Sequence, residues 1–371
     1  MRDRLNIGLI GFGMMGRTHA CAVESQKWCY TPSDPAAGAK ITAVCTRHEE
    51  TAEAAAAGYS LGAASTDEDE LIYSPDIDVI DISTPNIFHY RTAKKAILAG
   101  KHVLCEKPLT VTAAEADELA ALAEEKGVTA QIVFNYRFLA PNRLAKKLIG
   151  EGRLGRILSF DIKYLHSSAC DVNKPAGWKQ TAGYGGGVFN DLGSHAVDLI
   201  YYLCGDFKEI KGRAQIAYPE RSGMDGAPWR TDADEAFYAL AELECGAVGA
   251  VTASKIAVGT NDDLRYEIYG EKGALRFDLM EPNWLWFYDA DDKGGEYGGE
   301  KGFKKIECVG RYPSPGDRFP GAKAPTGWLR SHIESYHSFL NAVASGSAPC
   351  PSFRDGAKIQ HVLEEAYRSA E

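Results

Sequence analysis

Residues 5–21, LNIGLIGFGMMGRTHAC, decide the fold. Leu5, Ile7, Leu9 and Ile10 form an apolar run of strand length. Gly11, Gly13 and Gly16 follow at G-x-G-x-x-G spacing, with Phe12 inside the turn, and Met14, Met15 and Ala20 continue as a helix. Each glycine meets a different steric need. Gly11 allows the tight turn, Gly13 lets a pyrophosphate approach the backbone, and Gly16 lets helix and strand pack closely. The helix N-terminus offers unpaired N–H groups and a partial positive charge to phosphate. A glycine turn between strand and helix can also be purely structural, so the motif needs support from the rest of the chain.

That support is a strand–helix alternation running to about residue 135. Expected strands are 41–45, 78–83, 102–105 and 129–134; helices fall at 49–57, from after Asn86 to about 98, and at 112–126. Residues 27–40, with two prolines, read as an extended loop. Such alternation predicts a parallel sheet covered on both faces, a dinucleotide-binding domain over 1–135. From 136 to 371 the pattern changes. A helix at 139–149 precedes a strand-like run at 157–166, a glycine-rich loop at 173–187 and an apolar helix at 194–203. Runs near 208–217, 235–244, 247–256, 264–270, 273–279 and 283–288 are joined by short turns, which predicts a large, mainly antiparallel open sheet. Residues 289–325 carry little expected regular structure, and helices at 329–344 and 354–369 end the chain. The fold class is therefore α/β, with a second domain, 136–371, whose broad sheet has helices on one face and the other face available for a partner.

Composition narrows the function. The chain of 371 residues carries a formal charge of −10, which argues against a nucleic-acid or anionic-membrane surface. No apolar run reaches membrane-spanning length, and Met1-Arg2-Asp3-Arg4 leads straight into the first strand, so a cytoplasmic location is expected. Nine cysteines without a C-x-x-C pair read as reduced thiols. No helical histidine pair suggests a metal, and none is expected.

Three constellations carry chemistry. Thr46 and Arg47 end the second strand, where an acid would hold the ribose 2′-hydroxyl of NAD and a base the 2′-phosphate of NADP; the choice between NAD and NADP stays open. Ser83-Thr84-Pro85-Asn86 and Glu106-Lys107-Pro108 follow later strands on the same carboxyl edge, where ligands of such sheets bind. Asp191 and His195, four apart at the start of a helix, would share a face, and a carboxylate beside an imidazole makes a base fit to deprotonate an alcohol.

With these parts in order, the chain resembles the glucose–fructose oxidoreductase/inositol dehydrogenase family, Gfo/Idh/MocA. The resemblance rests on GFGMMGRTH, on the stretch from TPNIFH to AGKHVLCEKPLT, on NYRF at 135–138 and on GGGVFNDLGSHAVDL at 185–199. It implies catalytic roles for Lys107, Asp191 and His195. It also implies a cofactor-binding set of Gly11, Phe12, Gly13, Met14, Met15, Gly16, Thr46, Arg47, Ser83, Thr84, Pro85, Asn86, His89, Glu106 and Lys107. Tyr136, Arg137, His166 and Trp178 are expected to line the substrate pocket with Lys107, Asp191 and His195. The implied substrate is a sugar, cyclitol or glycoside oxidised at a secondary hydroxyl. Homo-oligomers through the second sheet are implied, and so is packing of the last helices back on the first domain. A glycoside-processing enzyme with tightly held NAD and a nucleotide-sensing regulator are the alternatives; an intact Lys107, Asp191 and His195 counts against the regulator.

Overall fold

The computed structural model describes residues 4–223 and 226–370. The chain divides into two compact units. The first takes residues through Asn135 together with Tyr312–Ala322 and Trp328–Gln360; the second takes Tyr136–Arg311, Lys323–Gly327 and the residues from His361 onward.

In the first unit the chain runs β1 (Asn6–Ile10), α1 (Met14–Cys29), β2 (Lys40–Cys45), α2 (Glu49–Tyr59), β3 (Ala63–Ser65), α3 (Glu68–Ile72), β4 (Val79–Ile82), α4 (His89–Leu98), β5 (His102–Cys105), α5 (Ala113–Lys126) and β6 (Ala130–Ile132). The six strands are all parallel in the order β3-β2-β1-β4-β5-β6. The order reverses direction between β1 and β4, which places the crevice for a ligand at their carboxyl ends. Buried strand residues such as Ile7, Leu9, Val44, Val79 and Leu104 form the core, as expected of a sheet covered on both faces. Helix α5 starts on a capping box: the Thr112 hydroxyl accepts the Glu115 N–H while Glu115 reaches back to the Thr112 N–H.

Differences from the expected elements are local. The loop foreseen over 27–40 begins later, because α1 continues to Cys29, and Pro35–Gly38 forms a 3-10 turn started by Asp34. Strand β3 and helix α3 are short enough to leave almost no periodic signal.

The second unit carries α6 (Ala140–Gly150), β7 (Ile157–Leu165), α7 (Ser194–Cys204), β8 (Phe207–Gln215), β9 (Glu220–Ser222), β10 (Pro228–Arg230), β11 (Ala236–Leu243), β12 (Val248–Ser254), β13 (Asp263–Gly270), β14 (Gly273–Asp278), β15 (Trp284–Asp289) and β16 (Lys304–Glu307). Eight strands make one sheet in the order β16-β15-β14-β13-β7-β12-β11-β8, antiparallel except for the β7–β12 pair. Strands β9 and β10 form a separate hairpin. Helix α7 packs on β7 and β12. Leu158, Tyr238, Leu240 and Val248 remain exposed on β7, β11 and β12. The segment 289–325 is not wholly irregular, since β16 joins the sheet edge beside β15. Its KKIE sequence is charged, as edge strands often are, which hides it from a search for apolar alternation.

Helix α8 (Trp328–Ser345) belongs to the first unit, where Ile333, Tyr336, Phe339, Leu340 and Val343 join the core around β1 and α1. Helix α9 (Phe353–Ala370) follows. Among the described residues, no helix is long and apolar enough to cross a membrane.

Candidate active site

The glycine turn has the geometry a dinucleotide requires. Gly11 has φ +97°, which side-chain-bearing residues rarely adopt. A Cβ on Gly16 would stand 2.3 Å from the Gly11 carbonyl oxygen, so helix and turn touch there. A Cβ on Gly13 would meet nothing within 4 Å. The fold does not need a glycine at 13, and the space above it is open. That space belongs to a pocket of about 580 Å³ lined by Gly13, Met14, Arg17, Thr18, Cys21 and Leu329 at the α1 N-terminus. Unpaired N–H groups, a helix dipole and a nearby arginine fit a pyrophosphate. Around the turn, Met14 is exposed, Met15 is half-buried, and the Phe12 ring lies edge-on to Tyr59 with Arg17 over its face.

At the end of β2, Arg47 is exposed, whereas the Thr46 hydroxyl is taken up locally by the His48 carbonyl and Thr51. Past β4, the Ser83 hydroxyl donates to the Gly11 carbonyl at 2.9 Å and braces the turn. Pro85 caps a short 3-10 turn, Asn86 is buried, and the buried Thr84 hydroxyl has no hydrogen-bond partner among the described residues.

Two residues expected at the cofactor have side chains that turn inward. His89 is fully buried, with its ring nitrogens 2.9 Å from the Thr84 and Pro108 carbonyl oxygens. Burial lowers its pKa while the two carbonyls work against that shift, and the ring bridges two loops of the crevice. Glu106 turns inward: its Oε1 lies 3.0 Å from His19 Nε2, and its Oε2 accepts the Lys107 backbone N–H at 3.1 Å. Burial opposes the Glu106 charge, but the hydrogen bond and charge of His19, then the charge of Lys107, bring the carboxyl down to about 2.

In the second unit the base candidate sits at an irregular helix start. Asp191 and His195 do not lie on one regular α-helix: Phe189–Gly193 is a π-turn, and the α-helical repeat begins at Ser194. Asp191 Oδ2 accepts from Lys179 Nζ and Lys255 Nζ, both at 2.7 Å. His195 is buried, its ring 4.7 Å from that of Tyr136 and 6.0 Å from that of Tyr164. A hydrogen-bonded chain lies beside it. The Tyr136 and Tyr164 hydroxyls are 2.6 Å apart, and Tyr164 donates to Asp262 Oδ1 at 2.5 Å. His166 Nε2 meets the same Asp262 oxygen at 2.8 Å. Burial would raise the Asp262 carboxyl, but hydrogen bonds from His166 and Tyr164 and the charges of His166 and His195 hold it low. The β7–β13 register produces this meeting, because His166 and Asp262 extend the Leu165–Asp263 pair by one residue.

Of the expected pocket residues, Tyr136 and His166 thus gather near His195. Arg137 is instead a core ion pair: its Nε lies 3.0 Å from both oxygens of Asp198, buried with it and covered by Tyr201 and Tyr202. Trp178 starts a 3-10 turn, half-buried, under the Lys179 ammonium. The sequence reading missed His19, Tyr164, Lys179, Lys255 and Asp262. His166 and Tyr164 alternate about the strand end, but their acid partner lies 96 residues from His166, a distance no local motif spans. Among the described residues no cluster could hold a metal ion.

Residues 5–134 match the family described as an oxidoreductase family with an NAD-binding Rossmann fold, and residues 142–276 match the Gfo/Idh/MocA C-terminal domain. The chain belongs to this family of NAD-binding oxidoreductases. Levoglucosan dehydrogenase of Pseudarthrobacter phenanthrenivorans is 31% identical over 99% of this chain and 96% of its own length. A solved levoglucosan dehydrogenase in complex with NADH and levoglucosan superposes with a TM-score of 0.93 over 99% of this chain and 97% of that one, at 31% identity. The scyllo-inositol 2-dehydrogenase (NADP(+)) of Bacillus subtilis is 26% identical over 81% of this chain and 79% of its own length.

Proposed function

We propose that the protein oxidises a secondary ring hydroxyl of an uncharged sugar, anhydrosugar or cyclitol to a ketone. The observation that carries this reading is the set of acid–base and hydroxyl-bearing groups around His195, in a chain that matches a levoglucosan dehydrogenase over nearly its full length. His195 takes the hydroxyl proton, because an imidazole can work as a base near neutral pH. Lys107 donates hydrogen bonds to the developing alkoxide, which stabilises charge where it appears. Asp191, already accepting from two lysines, orders this polar region and accepts from a neighbouring substrate hydroxyl. Tyr136 and Tyr164 offer aromatic faces suited to the C–H side of a sugar ring, and Asp262 accepts from a further hydroxyl. The Gly11–Gly16 turn and the α1 N-terminus hold the dinucleotide, whose nicotinamide supplies the hydride acceptor when bound.

The test is a panel of sugars, anhydrosugars, cyclitols and glycosides with NAD+ and NADP+, read at the reduced-nicotinamide absorbance. Reduction with neutral polyols supports the reading. Aglycone release without net reduction would replace it with a glycoside-processing enzyme, and binding of dinucleotide without turnover on any polyol with a regulator. Self-association through the exposed face bearing Leu158, Tyr238, Leu240 and Val248 belongs to the same proposal. Sedimentation as a monomer at working concentration would remove that part.

A further inference from the structure

Beneath the turn that carries Lys107 lies a charge cluster with no part yet in the chemistry. His19 projects from α1 with zero exposure, its Nδ1 2.9 Å from Asp81 Oδ1 and its Nε2 3.0 Å from Glu106 Oε1. A carboxylate at each ring nitrogen requires a hydrogen on both, so the ring is an imidazolium. Burial alone would lower its pKa, but the charge and hydrogen bond of Asp81 and those of Glu106 raise it to about 10. Asp81 also accepts the Tyr336 hydroxyl. Two buried carboxylates on one cation do little for stability compared with an apolar core, which directs attention to what the cluster holds in place. Glu106 Oε2 links the cluster to the crevice by accepting the Lys107 N–H at 3.1 Å. One residue further on, the Pro108 carbonyl lies 2.9 Å from His89 Nδ1.

We propose that His19 is a positioning residue for Lys107, acting through the Glu106 carboxylate. The inference rests on the assignment of Lys107 as the catalytic lysine. An amide donating to a carboxylate makes a shorter and stronger bond than one donating to a neutral carboxyl. Glu106 therefore holds the Lys107 backbone firmly only while it is ionised, and His19 keeps it so. The groups that act on Glu106 are His19 from α1, His89 from α4 and His332 and Tyr336 from α8, with Cys105 and Lys107 beside it in the chain, while Asp81 from β4 meets the other ring nitrogen of His19. Of these, His19 supplies both a hydrogen bond and a charge. Without it, burial favours the neutral Glu106 carboxyl, which takes a proton more readily and loosens the lysine.

The test compares His19→Gln with the wild-type chain, with saturating NAD+, from pH 6 to pH 9. The glutamine keeps a donor to Glu106 but no charge. The expected kcat is about tenfold below wild type at the acid end, the scale of a weakened charge-assisted hydrogen bond. The gap closes to about twofold at the alkaline end as Glu106 ionises again, with KM and the NADH dissociation constant within about twofold throughout. A gap that is constant with pH, or no gap, overturns the proposal. Should His19→Gln not fold, Glu106→Gln decides. It preserves the shape and cannot titrate, so its kcat should fall by a similar factor at every pH, and near-wild-type kcat overturns the proposal. Lys107→Met separates the two layers. Turnover retained there removes the lysine assignment itself, while turnover lost there, with a pH-constant His19→Gln gap, removes only the role of His19.

Discussion

Replacing Gly13 and Gly16 with alanine should produce opposite kinds of damage, and the turn geometry says which. At Gly16 the new Cβ would lie 2.3 Å from the Gly11 carbonyl oxygen, about 0.7 Å inside the closest approach that real Cβ atoms tolerate. The atom in the way is backbone, so α1 must shift against β1, at the roughly 1–3 kcal/mol typical of overpacking. Gly13 has φ −75° and ψ −154°, an extended conformation open to alanine, and the added methyl would meet nothing within 4 Å. Alanine there loses less chain entropy on folding than glycine, which offsets any small strain by about 0.4–1 kcal/mol. The methyl instead occupies the approach to the α1 N-terminus, in the pocket it shares with Arg17 and Thr18. Thermal melts of the dinucleotide-free chain, with NADH titrated by fluorescence quenching, separate the two outcomes. Gly13→Ala should melt at or slightly above the wild-type temperature and bind NADH at least about tenfold more weakly, a loss of about 1.4 kcal/mol. Gly16→Ala should melt lower. NADH affinity unchanged in Gly13→Ala would refute the placement of the pyrophosphate on this turn.

Other perturbations probe other parts of the molecule. Arg47→Asp should weaken NADP+ at least about tenfold relative to NAD+ if the exposed guanidinium reads the 2′ position, since a charge-assisted contact becomes a repulsion; equal effects on both dinucleotides would exclude that role. His332 is buried with neither ring nitrogen hydrogen-bonded among the described residues, and burial, reinforced by the His19 charge, lowers its pKa to about 3. An unfolded histidine binds its proton near pH 6.5 while this one waits until about 3, so stability falls as pH drops through that window. His332→Phe should flatten the decline in melting temperature between about pH 6.5 and 4.5, and an unchanged slope would show that His332 is not held neutral. Near pH 6.5 His19, whose folded pKa is raised, opposes this slope, and near pH 4.5 Glu106, whose folded pKa is lowered, adds to it; both act alike in the wild type and in His332→Phe, so the difference between the two chains reports His332. Asp262→Asn removes a negative charge beside His195, so the base should titrate lower. The acid limb of kcat/KM should move down by about half to one pH unit, and an unmoved limb would detach Asp262 from the base.

How much of this was legible in the sequence depended on whether a feature was local. The glycine turn, the strand–helix alternation of the first unit and the run of strands in the second each repeat within a few residues, and the structure has them with shifts of a residue or two at most ends. Strands β3 and β16 escaped because three or four residues with small or charged side chains leave no apolar pattern. Three expected site residues have side-chain directions that the sequence does not show. Glu106, His89 and Arg137 sit next to expected site residues in sequence, yet their side chains turn inward to His19, to backbone carbonyls and to Asp198. Adjacency along a loop does not say which way a side chain points. Asp81 offered a usable signal, an acid inside the apolar run VIDI, since a charge at a buried strand position needs a partner. The π-turn before α7 was unreadable, because its five residues look like the start of an ordinary helix.

The proposed chemistry depends on Lys107 acting on the reacting hydroxyl, not on the dinucleotide. The most direct measurement is therefore the turnover of Lys107→Met on whichever polyol the wild-type chain oxidises, taken together with its NADH dissociation constant. Turnover lowered at least about a hundredfold, with NADH affinity within about twofold of wild type, is the predicted result. Turnover within a few-fold of wild type, or a loss explained entirely by weaker dinucleotide binding, would contradict it.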